Sequence, residues 1–270
     1  MKNSKYKIVV LSDLKKSAIT TLKSSVSLAH MIDADIELFH VKKHVDIIKR
    51  DNQLSAMRSI NEEFISTKNK IKALIDPVSK AYDIPINSNF SFGNIKDEIR
   101  TYIKDTKPDI IVLGQRDSKP LKFIGDSITH FLLKEFNGVV MISSNEHALV
   151  PNEKMTLGVL NGSDKTFKTE LSKDLITHTQ SPLKSFKVIN SQNTKTESPS
   201  NYNEDTLEFV FEKNDNTIPT LSSYLLKNNI NLLCVDRDEN SKMKNKNASV
   251  LPLKETVNKL NVSLLVSGAL

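Results

Sequence analysis

The chain has 270 residues, 26% charged and 38% hydrophobic, which is the profile of one large or two ordinary globular domains and excludes a disordered chain. Its net charge is +6, but the lysines are spread along the sequence with few aromatics between them, which argues for a solvated basic surface over a nucleic-acid-binding one. No apolar run approaches the roughly 20 residues that span a bilayer, and Ile8-Val-Val-Leu11 is too short for a signal-peptide core, so a cytoplasmic protein is expected.

Lys7 to Leu11 is a β-branched run that predicts a strand buried on both faces, closed by Ser12-Asp13. Ala18, Leu22, Val26 and Ala29 then recur at helical spacing from Ser17, a cap candidate, to about Met31. Asp35 to Val41 alternates as a second strand. Gln53 to Tyr82 predicts a long amphipathic helix, bent near Pro77, whose stripe runs from Met57, Ile60 and Phe64 to Ile71, Leu74, Ile75 and Val78. That stripe reads as core or partner surface. Ile84 to Phe92 is strand three, and Gly93-Asn94 leads into a helix with Ile95, Ile99 and Ile103 on one face, ended by Lys107-Pro108. Asp109 to Leu113 is strand four, a helix covers about Asp126 to Phe136, and Gly138 to Ser143 is strand five. Five strands alternating with helices make a parallel sheet covered on both faces.

The second half repeats this plan in reduced form. Strands are expected at Met155–Leu160, Leu183–Ile189, Leu207–Phe211, Ile230–Val235 and Val262–Val266, with helices at Lys165–His178, Ile218–Asn228 and Pro252–Leu260. Ser191 to Asp205, rich in Ser, Thr, Asn and Pro, stands where the first half has its long helix, and Asp236 to Ser249 is polar and lysine-rich. The fold class is therefore α/β, with two doubly wound five-stranded parallel-sheet domains, the second reduced. Residues 1–145 form the complete domain, 146–154 with Pro151 the linker, and 155–270 the degenerate copy. The single Cys234 excludes an internal disulfide and a Cys-x-x-Cys site, and within Asn231-Leu-Leu-Cys-Val235 it reads as a buried strand thiol.

Lys7-Ile-Val-Val-Leu-Ser-Asp13, then Ala34-Asp-Ile-Glu-Leu-Phe-His-Val41, resembles the opening of a universal stress protein domain. Pro108-Asp-Ile-Ile-Val-Leu-Gly114, Gly125-Asp-Ser-Ile128 and Val139-Val-Met-Ile142 resemble its second part, so the resemblance covers nearly all of residues 5–144. It implies the adenine nucleotide alpha hydrolase-like strand order 3-2-1-4-5, with ligands in the crevice beyond strands one and four. The second half resembles the same domain in element order alone, as in a tandem member with a degenerate C-terminal copy. The resemblance also implies that the copies pair as a pseudo-dimer through their last strands, Val139–Ile142 and Val262–Val266, which otherwise remain as apolar edges. A homodimer of whole chains is compatible with this.

By the same resemblance, Asp13, with Ser12 beside it past strand one, meets a ribose hydroxyl or a metal-bound water, the backbone at Val41 reads an adenine edge, and the amides around Gly125, Ser127 and Ile128 receive phosphates, with Gly114 and Arg116 also in the cofactor site. The cofactor so implied is ATP with magnesium, or another adenine nucleotide. The loop departs from the family form Gly-x-x-Gly, about nine residues, then Gly-Ser or Gly-Thr. Asp117 replaces the second glycine and Asp126 separates Gly125 from Ser127, two acids that Arg116, Lys119 and Lys122 offset in part. Asp13 reads equally as a simple turn residue. Gly162-Ser-Asp-Lys165-Thr166 lacks the Gly before Lys that a P-loop needs, and His40 with His44 lacks a zinc-ligand pattern.

The expected function is a stress-response protein acting by binding and regulation rather than catalysis, with an eroded phosphate loop in its first half. Two other readings stand beside it, a nucleotide-free interaction module and a slow ATP hydrolase. An adenylating enzyme would carry Ser-Gly-Gly-x-Asp-Ser after strand one, which Leu11-Ser-Asp-Leu14 lacks.

Overall fold

The computed structural model describes residues 4–43, 53–115, 128–161, 170–180, 182–189, 206–237 and 253–267. In chain order the first half holds β1 (Tyr6–Leu11), α1 (Ala18–Ile32), β2 (Ala34–Lys42), α2 (Gln53–Tyr82), β3 (Ile86–Phe92), α3 (Ile95–Thr106), β4 (Ile110–Gly114), α4 (Ile128–Glu135) and β5 (Val139–Ser143). The second holds β6 (Leu157–Leu160), α5 (Glu170–Thr177), β7 (Leu183–Ile189), β8 (Thr206–Glu212), α6 (Thr217–Lys227), β9 (Leu232–Val235), α7 (Leu253–Lys259) and β10 (Ser263–Val266).

The strands form one ten-stranded sheet in the order β3-β2-β1-β4-β5-β10-β9-β6-β7-β8. Each half is parallel and has the expected order, and β5 pairs antiparallel with β10. Along β1 the alternation is clean. Ile8 and Val10 enter the apolar layer with α1 and α2, and Val9 enters the opposite layer with α3 and α4. Burial on both faces is why this strand is a continuous apolar run.

The seam has local twofold symmetry. Met141 faces Leu265, flanked by Ile142 opposite Leu264 and Val140 opposite Val266. All six side chains are buried, so the two edge strands remove each other's exposed apolar edge. Serine hydroxyls stitch the chain beyond β5 to both halves. Ser24 Oγ on α1 accepts the N–H of Leu149 at 3.2 Å, and Ser263 Oγ accepts that of Ser144 at 3.1 Å. Lys5 crosses to Asp174 on α5 at 2.7 Å.

Several local expectations change. Ser17 holds the N-cap position of α1 but its hydroxyl makes no capping bond, because its backbone there is already near-helical. Asn94 does cap α3, its Oδ1 accepting the N–H of Lys96 at 3.0 Å. The stripe of α2 divides. Ile71, Ile75 and Val78 are buried in the core, whereas Met57, Ile60 and Phe64 are exposed. Cys234 is a free, buried strand thiol, and burial pushes its pKa up to about 12. His44, Gly162 to Lys165 and Ser191 to Asp205 lie outside the described residues.

Candidate nucleotide site

The strand order reverses between β1 and β4, and β1 pairs with both β2 and β4. The crevice past their C-terminal ends is where an open α/β sheet takes a ligand. Beyond β1 the N–H of Ser12 reaches the carbonyl of Phe39 at 3.1 Å, so that carbonyl points toward β1. The carbonyl of Lys42 accepts from Gly93 at 2.9 Å and so points the other way, toward β3. Backbone groups alternate in direction along a strand. Val41 therefore turns its N–H and C=O to the β1 side, past the residue at which β1 has ended. This leaves a peptide edge facing the crevice.

Ser12 and Asp13 form tight turns of their own. Ser12 Oγ accepts the N–H of Leu14 at 3.1 Å, and Asp13 Oδ1 accepts that of Lys15 at 3.0 Å. The carboxylate of Asp13 also has Lys15 Nζ at 3.6 Å and is half exposed. Leu14 takes φ 55°, a left-handed conformation that these two side-chain bonds hold in place. His40 completes the loop from β2. Its Nδ1 lies 2.8 Å from the Ser12 carbonyl and, facing an acceptor, carries the proton. Burial holds its pKa below the ordinary value, with the bond to Ser12 opposing.

Across the crevice Gly114 closes β4. A Cβ there would lie 2.6 Å from Thr21 Oγ1 of α1, so glycine lets helix and strand approach. The next residue, Gln115, donates its N–H to Ser143 at 2.7 Å and its Nε2–H to the Leu260 carbonyl at 2.8 Å. Ile128 begins α4 and packs against the core. Of the sequence candidates, Ser12, Asp13, Val41 and Gly114 thus gather at the ends of three adjacent strands. Arg116, Gly125 and Ser127 lie outside the described residues, as do Asp117, Lys119, Lys122 and Asp126.

The second half repeats the backbone and changes the side chains. The N–H of Asn161, after β6, reaches the carbonyl of Phe186 at 2.7 Å, as Ser12 does with Phe39. Lys213 reaches Ile189 at 2.8 Å, as Gly93 does with Lys42. Val188 therefore matches Val41. Its N–H is taken, at 2.8 Å, by Asn161 Oδ1, and Asn161 adopts φ 48°. In the second half the N–H that matches Val41's is thus taken by a side chain of that half. Sequence reasoning missed His40 and Asn161 in these roles. The repeat places Asn161 level with Ser12, but only the hydrogen-bond register shows what its side chain does.

Among solved structures, a universal stress protein from Archaeoglobus fulgidus is similar over 97% of this chain and 96% of its own, at 13% identity and TM-score 0.65. A functionally unknown protein from Pseudomonas aeruginosa PAO1 covers 98% of this chain and 93% of its own, at 12% identity and TM-score 0.55. A third, a putative universal stress protein from Pseudomonas aeruginosa UCBPP-PA14, covers 97% and 92%, at 13% identity and TM-score 0.52. At these identities the likeness concerns the fold. No curated protein matches the chain. The model of the universal stress protein family matches residues 6–143, from the start of β1 to the end of β5, and so takes in the whole crevice of the first half. With its strand order and nearly full-length structural relatives, this chain belongs to the universal stress protein family.

Proposed function

We propose that this chain is a cytoplasmic stress-response protein that binds an adenine nucleotide, ATP among them, in the crevice of its first half and acts by binding. The observation that carries the reading is the peptide edge of Val41 beside Ser12 and Asp13, which has no backbone partner among the described residues. It offers one donor and one acceptor to a flat heterocycle, with Gly114 opposite. Phe39, stacked on Tyr102 at 3.7 Å between ring centroids, lies in the core layer against which Val41 packs. Among the described residues no three His, Cys, Asp or Glu side chains come together as a metal site. Magnesium would therefore enter on the nucleotide's own phosphates, with Asp13 reaching it directly or through water. The chain divides on this reading into residues 1–145, which bind, a linker at 146–154, and residues 155–270, a degenerate copy.

No described helix is long and apolar enough to cross a membrane. A second reading, a nucleotide-free interaction module, is favoured by the bond that commits Asp13 to the Lys15 N–H. Calorimetry with ATP and Mg²⁺ separates the two. Heat of binding that Asp13→Ala weakens supports the nucleotide reading, and no heat with the wild type removes it. Phosphate release dependent on Asp13 would instead make the protein a slow hydrolase.

A further inference from the structure

The seam places two residues in matching positions. Gln115 follows β4, and Arg237 follows β9 by the same register, since Leu11 pairs with Leu113 as Leu160 pairs with Val235. Each side chain crosses to the other half. Gln115 Nε2 donates to the carbonyl of Leu260, the residue after α7, at 2.8 Å. The guanidinium of Arg237 donates to the carbonyl of Phe136, the residue after α4, and to that of Gly138 at 2.9 Å. Both take the end of the opposite half's last helix, where carbonyls lack partners within the helix and the dipole is negative. Arg237 is the stronger of the pair, because it is charged and grips two carbonyls.

The exchange is symmetric in geometry and unequal in consequence. Arg237 belongs to the half in which Asn161 takes the Val188 N–H. Gln115 is joined directly to Gly114, which closes β4 at the crevice of the first half. Its backbone is held by the first half and the chain just beyond it, its N–H by Ser143 at 2.7 Å and its carbonyl by Asn145 Nδ2 at 2.8 Å. Its side chain is held by the second half.

We propose that the second half is a scaffold for the crevice of the first, and that Gln115 is the positioning residue through which it acts. The link to a ligand rests on the nucleotide reading above, whereas the link to Gln115 does not.

Hydrogen exchange on the ligand-free full chain tests this at the Gln115 amide. Gln115→Ala is expected to speed exchange there about fivefold, since the partly buried hydrogen bond to the Leu260 carbonyl is lost, with amides of β1 and α1 unchanged. Gln115→Arg, which copies the chemistry of Arg237, restores slow exchange. Unchanged exchange in Gln115→Ala overturns the proposal. So does acceleration spread evenly over the chain, which marks general destabilisation. ATP titration of the same proteins gives the second readout. Wild-type binding that Gln115→Ala leaves intact also overturns the scaffold role. A wild type that binds no nucleotide removes the nucleotide reading, and the exchange result then decides the scaffold alone.

Discussion

Asn161 Oδ1 accepts the N–H of Val188 at 2.8 Å, while the hydroxyl of Ser12, its counterpart, accepts the N–H of Leu14 instead of that of Val41. One residue type thus distinguishes two crevices built on the same backbone. Native mass spectrometry with ATP is expected to show one nucleotide per chain and never two.

The Met141–Leu265 contact lies at the centre of the seam, and both side chains are buried there. Leu265→Ala is expected to cost about 2–4 kcal/mol, the usual range for a buried leucine that leaves a cavity. Urea unfolding checks this, read as a lower midpoint at unchanged slope.

Gly114→Ala puts a methyl 2.6 Å from Thr21 Oγ1, in a helix face packed against the sheet. A loss of about 1–3 kcal/mol is expected from overpacking. Thr21→Ala removes the obstructing oxygen, so the double variant is expected to be more stable than the two single losses added together. A double-mutant cycle measures that difference.

His40 gives stability a pH dependence of fixed sign. Its folded-state pKa lies below the ordinary 6.5, mainly through burial, with Lys42 and Lys70 disfavouring its charge and Asp13 favouring it. The unfolded chain therefore binds the proton first. The stabilisation is complete above the unfolded value and is lost as pH falls through the folded one. His40→Gln is expected to lose less stability than the wild type between pH 7.5 and 5, measured by urea unfolding at each pH.

Cys234 is expected to resist thiol reagents in the native state and to react at once in urea. It is 9% exposed, and burial keeps it a thiol rather than the reactive thiolate. Absorbance with an aromatic disulfide reagent follows both rates.

The sequence by itself determined the α/β class and the order of elements, which follow from local period, while the strand order that locates the crevice came from the resemblance to a known family. Lys7 to Leu11 is apolar because β1 is buried on both faces, and Gln53 to Tyr82 repeats at helical spacing because one side of α2 meets the core. The same resemblance implied that the two last strands would meet. Period did not show that half the stripe of α2 is exposed, since Phe64 and Ile71 look alike in sequence and differ in what lies beneath them. Only the tertiary structure decided that Asn161 takes the Val188 N–H and that Gln115 and Arg237 cross the seam. Each of these is a bond between a side chain and a distant carbonyl or N–H. A backbone group offers the same donor or acceptor whatever residue carries it, so the sequence holds no trace of the partner until the strands are in register.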